Sequence, residues 1–338
     1  MNKKVNNGTL KTIAVICAAA LIFALLLGVG NILGLTGLPF AHAEKYTLGD
    51  GEVTGQIKNL RIEWTSGKVD IAFHKGDTVL FSEKANKPLT DSTRLRWLLD
   101  GDTLRIEYCK PGFHFGTWNL DKELTVTLPE GIALDSLEID ATSGDLNIPG
   151  VKAETLRLNL TSGDIAAQAE ADTVTIGCTS GTVSFTALSD AREITIGSTS
   201  GTIALTAANA DTVKLTSTSG SINAMIKSVR DFRAGTTSGG IQAAIVQAMT
   251  AKIESTSGNV DVKIARLDTL KVDSTSGSVT AALPAVPGFT ARIGTASGSI
   301  QTDLPLAQNN GTYTCGDGSG NVNIETTSGN IRILEFKE

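Results

Sequence analysis

The chain has 338 residues, 29 Lys and Arg against 35 Asp and Glu, and a formal net charge of −6. A mildly acidic balance gives no electrostatic footprint for nucleic acid. Hydrophobic residues make up 41% and glycines number 35, above the ordinary share of about 7%, so the chain holds enough apolar material for a packed core and many bends.

Residues 1–11 carry Lys3, Lys4 and Lys11 and no acid, and the chain then runs uncharged to Phe40. A stretch of about 20 apolar residues spans a bilayer as a helix, and basic residues before it orient the downstream chain outward. We read 1–11 as a short basic cytoplasmic tail and 12–38 as one transmembrane or signal-anchor helix. Ala41-His42-Ala43 has the small-x-small form of a signal-peptidase site, so secretion after cleavage is the alternative. Both readings place the remainder outside the cytoplasm, attached to or released from the cell membrane.

Segment 45–135 alternates apolar and polar residues in Leu60–Trp64, Val69–Phe73, Leu104–Tyr108 and Leu124–Leu128, and it holds all three tryptophans. It is expected to form N-terminal β rungs and a cap, because an open sheet edge must be covered.

From 136 to 338 a repeat dominates. A Ser-Gly pair recurs with its glycine at Gly144, Gly163, Gly181, Gly201, Gly220, Gly239, Gly258, Gly277, Gly298, Gly320 and Gly329, mostly 19 residues apart, and Thr precedes the Ser in nine of the eleven copies. An isolated copy, Thr65-Ser66-Gly67, lies upstream. Apolar residues flank each motif at every second position, as Val213, Leu215, Ile222 and Ala224 do around Gly220, so each side reads as a strand with one buried face. A lone two-stranded unit cannot bury that face, but stacked units can. The expected fold is therefore all-β: a single-stack β-solenoid with rungs of about 19 residues, Ser-Gly corners at the eleven glycines, and corner φ values that favour glycine. The interval of 9 between Gly320 and Gly329 suggests that the other corner is a degenerate version of the same bend.

The string Thr125–Gly131 (TVTLPEG), with Leu137-Glu138-Ile139 and Thr142-Ser143-Gly144-Asp145-Leu146, resembles a bacterial family of β-strand-repeat domains described as adhesins, a domain of unknown function. The resemblance covers about 45–338. It implies a membrane-tethered or cell-surface β-solenoid, linked in some members to envelope-stress responses, and it supplies no catalytic residues.

The residues themselves offer little chemistry. Gly316-Asp317-Gly318-Ser319-Gly320 is the nearest string to a nucleophile elbow, but it falls in the repeat rather than before a helix. His74 and His114 lie 40 residues apart with no further ligand set, and Cys17, Cys109, Cys178 and Cys315 match no zinc or CxxC spacing. Buried reduced cysteines are the ordinary reading; a bridge among the last three is the alternative. Asp145 and Asp164 follow successive corners, which predicts stacked carboxylates about 5 Å apart and a site for a cation or for acid–base work. The run Phe113, His114, Phe115 and Trp118 suits stacking on sugar rings or, more simply, a cap core.

These features predict a non-enzymatic module of the cell envelope without cofactor or metal. Its membrane contact runs through the N-terminal helix, and its partner is an envelope or extracellular polymer, glycan or protein. The candidate binding surface comprises Phe113, Phe115, Trp118, Asp145 and Asp164. Alternatives are an envelope-stress sensor acting through a membrane partner, a polysaccharide-active enzyme, and an ice-binding Thr ladder.

Overall fold

The computed structural model describes residues 45–110 and 119–337. The expected tail and transmembrane helix, Cys17, and the aromatic run Phe113 to Trp118 lie outside the described residues. Every regular element among the described residues except one turn of helix at the start is a β-strand. The chain divides into two units, whose described parts are 45–193 and 194–337.

In the unit 194–337, three 17-residue strands, Ile203–Ser219, Ile222–Ser238 and Ile241–Ser257, stack in parallel with a strict offset of 19 (Ile203 on Ile222 on Ile241). Val260–Ser276 continues the stack (Ile241 on Val260). Equal offsets align the aliphatic positions in columns: Ile203, Ile222, Ile241 and Val260 are all at most 1% exposed. Size compensates along a column. Phe232 lies between Val213 and Ala251, so one large side chain fills the space that a small neighbour leaves.

One bend carries the Ser-Gly motif. The other does not interrupt the strand, and it is not a degenerate copy of the first. Inward positions there run Ala207, Ala210, Val213 and, one coil on, Ile226, Val229, Phe232, all buried. Their spacing is three instead of two, so the alternation slips twice and the strand turns without a glycine.

The order of stacking departs from the order of the sequence. Strand Gly320–Ser328 pairs in parallel with the end of Val260–Ser276 on one side (Leu270 on Val322) and with Gly288–Ser297 on the other (Ile293 on Ile324). Ile331–Glu335 likewise lies between Val279–Leu283 and Ile300–Thr302. The chain thus runs past a coil's place, forms 288–302 beyond it, and returns to fill the gap. Gly320 accordingly lies at the start of a strand opposite Phe289 and is not a bend. The interval of 9 reflects this strand start. An antiparallel hairpin, Ala307–Asn309 with Thr312–Gly316, covers Gly288–Ala291.

The unit 45–193 repeats the device. The upstream copy at Gly67 joins the stack: Asn59–Ser66 pairs in parallel with both Thr103–Glu107 and Ala133–Ser143, and Val69–His74 pairs with Lys122–Pro129 and with Leu146–Ser162. Antiparallel strands Thr78–Ala85 and Arg96–Asp100 cover the outermost coil. Leu146–Ser162 pairs with Ile165–Ser180 at an offset of 19 up to Pro149 and of 18 from Val151, and Gly150, with φ 107°, is the extra residue. That bulge accounts for the shorter repeat between Gly163 and Gly181. Cys109, Cys178 and Cys315 are buried.

Candidate functional site

At the Ser-Gly bend the backbone of one coil rests on the next. The glycine N–H donates to the Ser carbonyl of the following coil, as in Gly163 to Ser180 at 3.0 Å and Gly239 to Ser257 at 3.0 Å. The residue two beyond does the same one place on, Ile165 to Thr182 at 2.8 Å. The amide between them has no backbone acceptor in this scheme, and here Asp145 and Asp164 act. Asp145 Oδ1 accepts the Asp164 N–H at 3.0 Å, and Asp164 Oδ1 accepts the Thr182 N–H at 2.7 Å. Asn259 and Asn330 accept from Ser278 and Ser299 at 3.0 and 2.9 Å in the other unit. The two aspartates are stacked neighbours, but each carboxylate is committed to a bend amide. In the fold each ties one coil to the next.

Inside the same bend of the unit 194–337 runs a buried hydroxyl column, Ser217, Thr236, Ser255, Ser274 and Thr326, each at most 5% exposed. Thr236 Oγ1 donates to Gly220 O at 3.4 Å and Thr326 Oγ1 to Gly277 O at 3.4 Å. In the unit 45–193 the same position is apolar, with Trp64, Ala141, Leu160 and Cys178. Burial pushes the Cys178 thiol up to about 11, away from thiolate chemistry.

The outward face of the strand before each bend carries further columns. In the unit 194–337, Lys214, Arg233, Lys252 and Lys271 stack in register, and beside them stand Glu254, Asp273 and Glu325. Ion pairs close along two of the rungs, Lys252 to Glu254 at 2.8 Å and Lys271 to Asp273 at 2.7 Å. Thr218, Thr237, Thr256 and Thr275 of the motif border them. The result is a flat lattice of hydroxyls and paired charges at the rung spacing of about 4.8 Å. Sequence reading missed the charged columns because each residue looks like an ordinary solvated position until the offset of 19 places it above its neighbour.

The unit 45–193 carries a charged counterpart. Glu107 faces Glu63 in register, and Asp140 follows it. Arg61 reaches Glu63 at 3.0 Å and Glu138 at 3.8 Å. Tyr46 covers the pair and donates to Glu107 Oε1 at 3.3 Å. Burial, then the Glu63 charge, push the Glu107 carboxyl up to about 7, and burial with Glu107 pushes the Tyr46 phenol up to about 12.

A second polar group is wholly enclosed. Lys122 is 1% exposed, and its Nζ lies 2.7 Å from Glu83 Oε2 and 2.9 Å from the Thr93 carbonyl, which it bonds along with that of Tyr108. The ammonium sits 4.1 Å from the Tyr108 ring centroid and 4.9 Å from that of Trp64. Burial lowers the lysine's pKa and Glu83 opposes this. The Lys122 carbonyl in turn accepts the Trp64 indole N–H at 3.0 Å. Held by the ion pair and two carbonyls, the lysine braces the outermost coil.

A profile of the Toastrack DUF4097 family matches residues 57–264 and 168–334, which together span most of the described chain. The chain belongs to the Toastrack DUF4097 family. The two overlapping matches reflect the repeat, since a 19-residue offset lets one profile align in more than one register. No curated protein matches. Among solved structures, a proposed cell adhesion protein from Clostridium sporogenes shares 12% identity over 86% of this chain and 100% of its own, with a TM-score of 0.18. A proposed lipid-binding protein from Parabacteroides distasonis shares 13% over 84% and 96%, with a TM-score of 0.38. A proposed adhesin from Bacteroides fragilis shares 10% over 88% and 100%, with a TM-score of 0.29. No helix among the described residues is long and apolar enough to cross a membrane.

Proposed function

We propose that this Toastrack protein is a non-enzymatic binding module of the cell envelope that recognises a regular polymer, held at the membrane by its N-terminal segment. The observation that carries the reading is the outward lattice of Thr, Lys/Arg and Asp/Glu columns on parallel coils in strict register. A rigid surface with a short constant repeat suits a ligand that has a short repeat of its own, because each added unit finds the same contacts without further ordering of the protein. Hydroxyls and paired charges suit a glycan bearing hydroxyl, amide and carboxylate groups. Purified envelope glycans, long and fragmented, should be titrated against the full chain by calorimetry. Affinity that grows with ligand length, and falls when Lys252 and Lys271 are both replaced by Ala, is the expected result. Equal weak affinity for all lengths, or none, would overturn the reading.

A further inference from the structure

The glycine-free bend of the unit 194–337 differs from the flat face. Met225, Val246 and Met249 are 61%, 52% and 49% exposed, on two adjacent coils. Single exposed apolar side chains need no account, but these three lie among four bases. Ile226 on Ile245 and Ser228 on Gln247 bracket Lys227 beside Val246. Val229 on Ala248 and Asp231 on Thr250 bracket Arg230 beside Met249. On the following coil, Ala244 stands next to Lys263 and Gln247 next to Arg266. All four bases are exposed. Of the acids at this bend, Asp211 lies 3.6 Å from Arg230, Asp231 is paired with Arg233 at 2.7 Å, and Asp268 flanks Met249 on the side away from Arg230. A chain with a net charge of −6 thus turns a basic, apolar-tipped corner outward at one place.

We propose that this corner is a docking surface for an anionic lipid bilayer, with Met225, Val246 and Met249 entering the headgroup–acyl boundary and Lys227, Arg230, Lys263 and Arg266 meeting lipid phosphates. The chemistry separates this occupant from a soluble polyanion. Phosphates alone would engage the bases and leave the methionines and valine in water, whereas a membrane surface takes both. The corner is distinct from the flat face, so docking would leave the polymer-binding lattice open.

The test uses the full chain in a Cys17→Ser background, since the described native cysteines are buried. An environment-sensitive fluorophore is placed at Met249→Cys and, as a control, at Ser219→Cys on the Ser-Gly bend. Lys3, Lys4 and Lys11 also draw the N-terminal run to anionic vesicles, so it is the charge reversal at the corner that assigns the response of the label to the corner. With phosphatidylglycerol-containing vesicles the label at 249 should brighten and be quenched by spin-labelled lipid. It should stay unchanged with pure phosphatidylcholine, and the label at 219 should not respond. The pair Lys227→Glu and Arg266→Glu should weaken the response by at least about 30-fold, since two surface cation contacts of about 1 kcal/mol each are lost and two repelled carboxylates are added. Met225→Ser with Val246→Ser should weaken quenching without altering circular dichroism. The proposal fails if the label at 249 stays in water with every vesicle, if charge reversal leaves its response unchanged, or if soluble polyglutamate alone reproduces the full response.

Discussion

Replacing Gly220 by Ala adds one methyl group at a place where the preceding coil already lies. An added Cβ would stand 1.9 Å from the Gly201 carbonyl oxygen, against a practical limit of 3.0 Å. The backbone at Gly220 is not in the left-handed region, so the cost comes from this approach and not from φ, as the corner pattern alone would suggest. To admit the methyl, neighbouring coils must part by about 1 Å at the bend. That strains the two bonds that join these coils, Gly201 N–H to Ser219 O at 3.3 Å and Ile203 N–H to Ser221 O at 2.9 Å. Two bonds weakened together amount to about 1–3 kcal/mol, or a Tm lowered by about 2–10 °C. Gly294 is the matched control in the same unit, since nothing lies within 4 Å of a Cβ added there. Gly294→Ala should therefore stay within about 0.5 kcal/mol of the parent. Urea denaturation followed by circular dichroism measures both. Equal midpoints for the two variants would refute the argument that coil contact, and not glycine content, sets the repeat.

Asp164→Ala should destabilise by about 1–2 kcal/mol by leaving the Thr182 amide without its acceptor, and Asp164→Asn should recover most of the loss, read by the same denaturation. Lys122→Met strands the buried Glu83 carboxylate and should cost about 3–5 kcal/mol, while the double variant with Glu83→Gln should be markedly more stable than the single one. For Glu107 the folded carboxyl is raised, so its protonated form favours the fold. That contribution is complete below the unfolded value near 4.5 and is lost as pH climbs through about 7. Stability should fall by on the order of 1–3 kcal/mol between pH 5 and pH 8, and Glu107→Gln should flatten that slope in thermal melts across the range.

The period of two around each Ser-Gly motif announced the coils, because a face buried at every second residue leaves no other local geometry. Ile222 and Ile241 were legible as core from their offsets alone. The place of the coil 320–335 was not. Its motif reads like the next in line, and only long-range pairing of Val279 with Ile331 and of Ile300 with Ile331 reveals it as an insertion. The glycine-free bend was equally hidden, since two slips of alternation at Ala207, Ala210 and Val213 look like noise in the pattern. Asp145 and Asp164 were visible as a pair, but their work depends on amides whose lack of acceptors appears only once the bend is built. The Glu63–Glu107 contact joins residues 44 positions apart through a register that no repeat announces.

The returning coil has a consequence for assembly. Its neighbours recruit it across offsets of 52 and 31 residues (Val279 to Ile331, Ile300 to Ile331), where each coil from Ile203 to Ser276 meets the next after 19. Closing a 52-residue loop in place of a 19-residue one costs about 0.9 kcal/mol more in chain entropy, and no growth by simple addition can achieve it. From Ile203 to Ser276 the coils can wind one upon another, but Val279–Leu283 gains its second partner only once 331–335 exist. Until then the facing edges of Val279–Leu283 and Ile300–Thr302 stand open, so this end of the stack closes last.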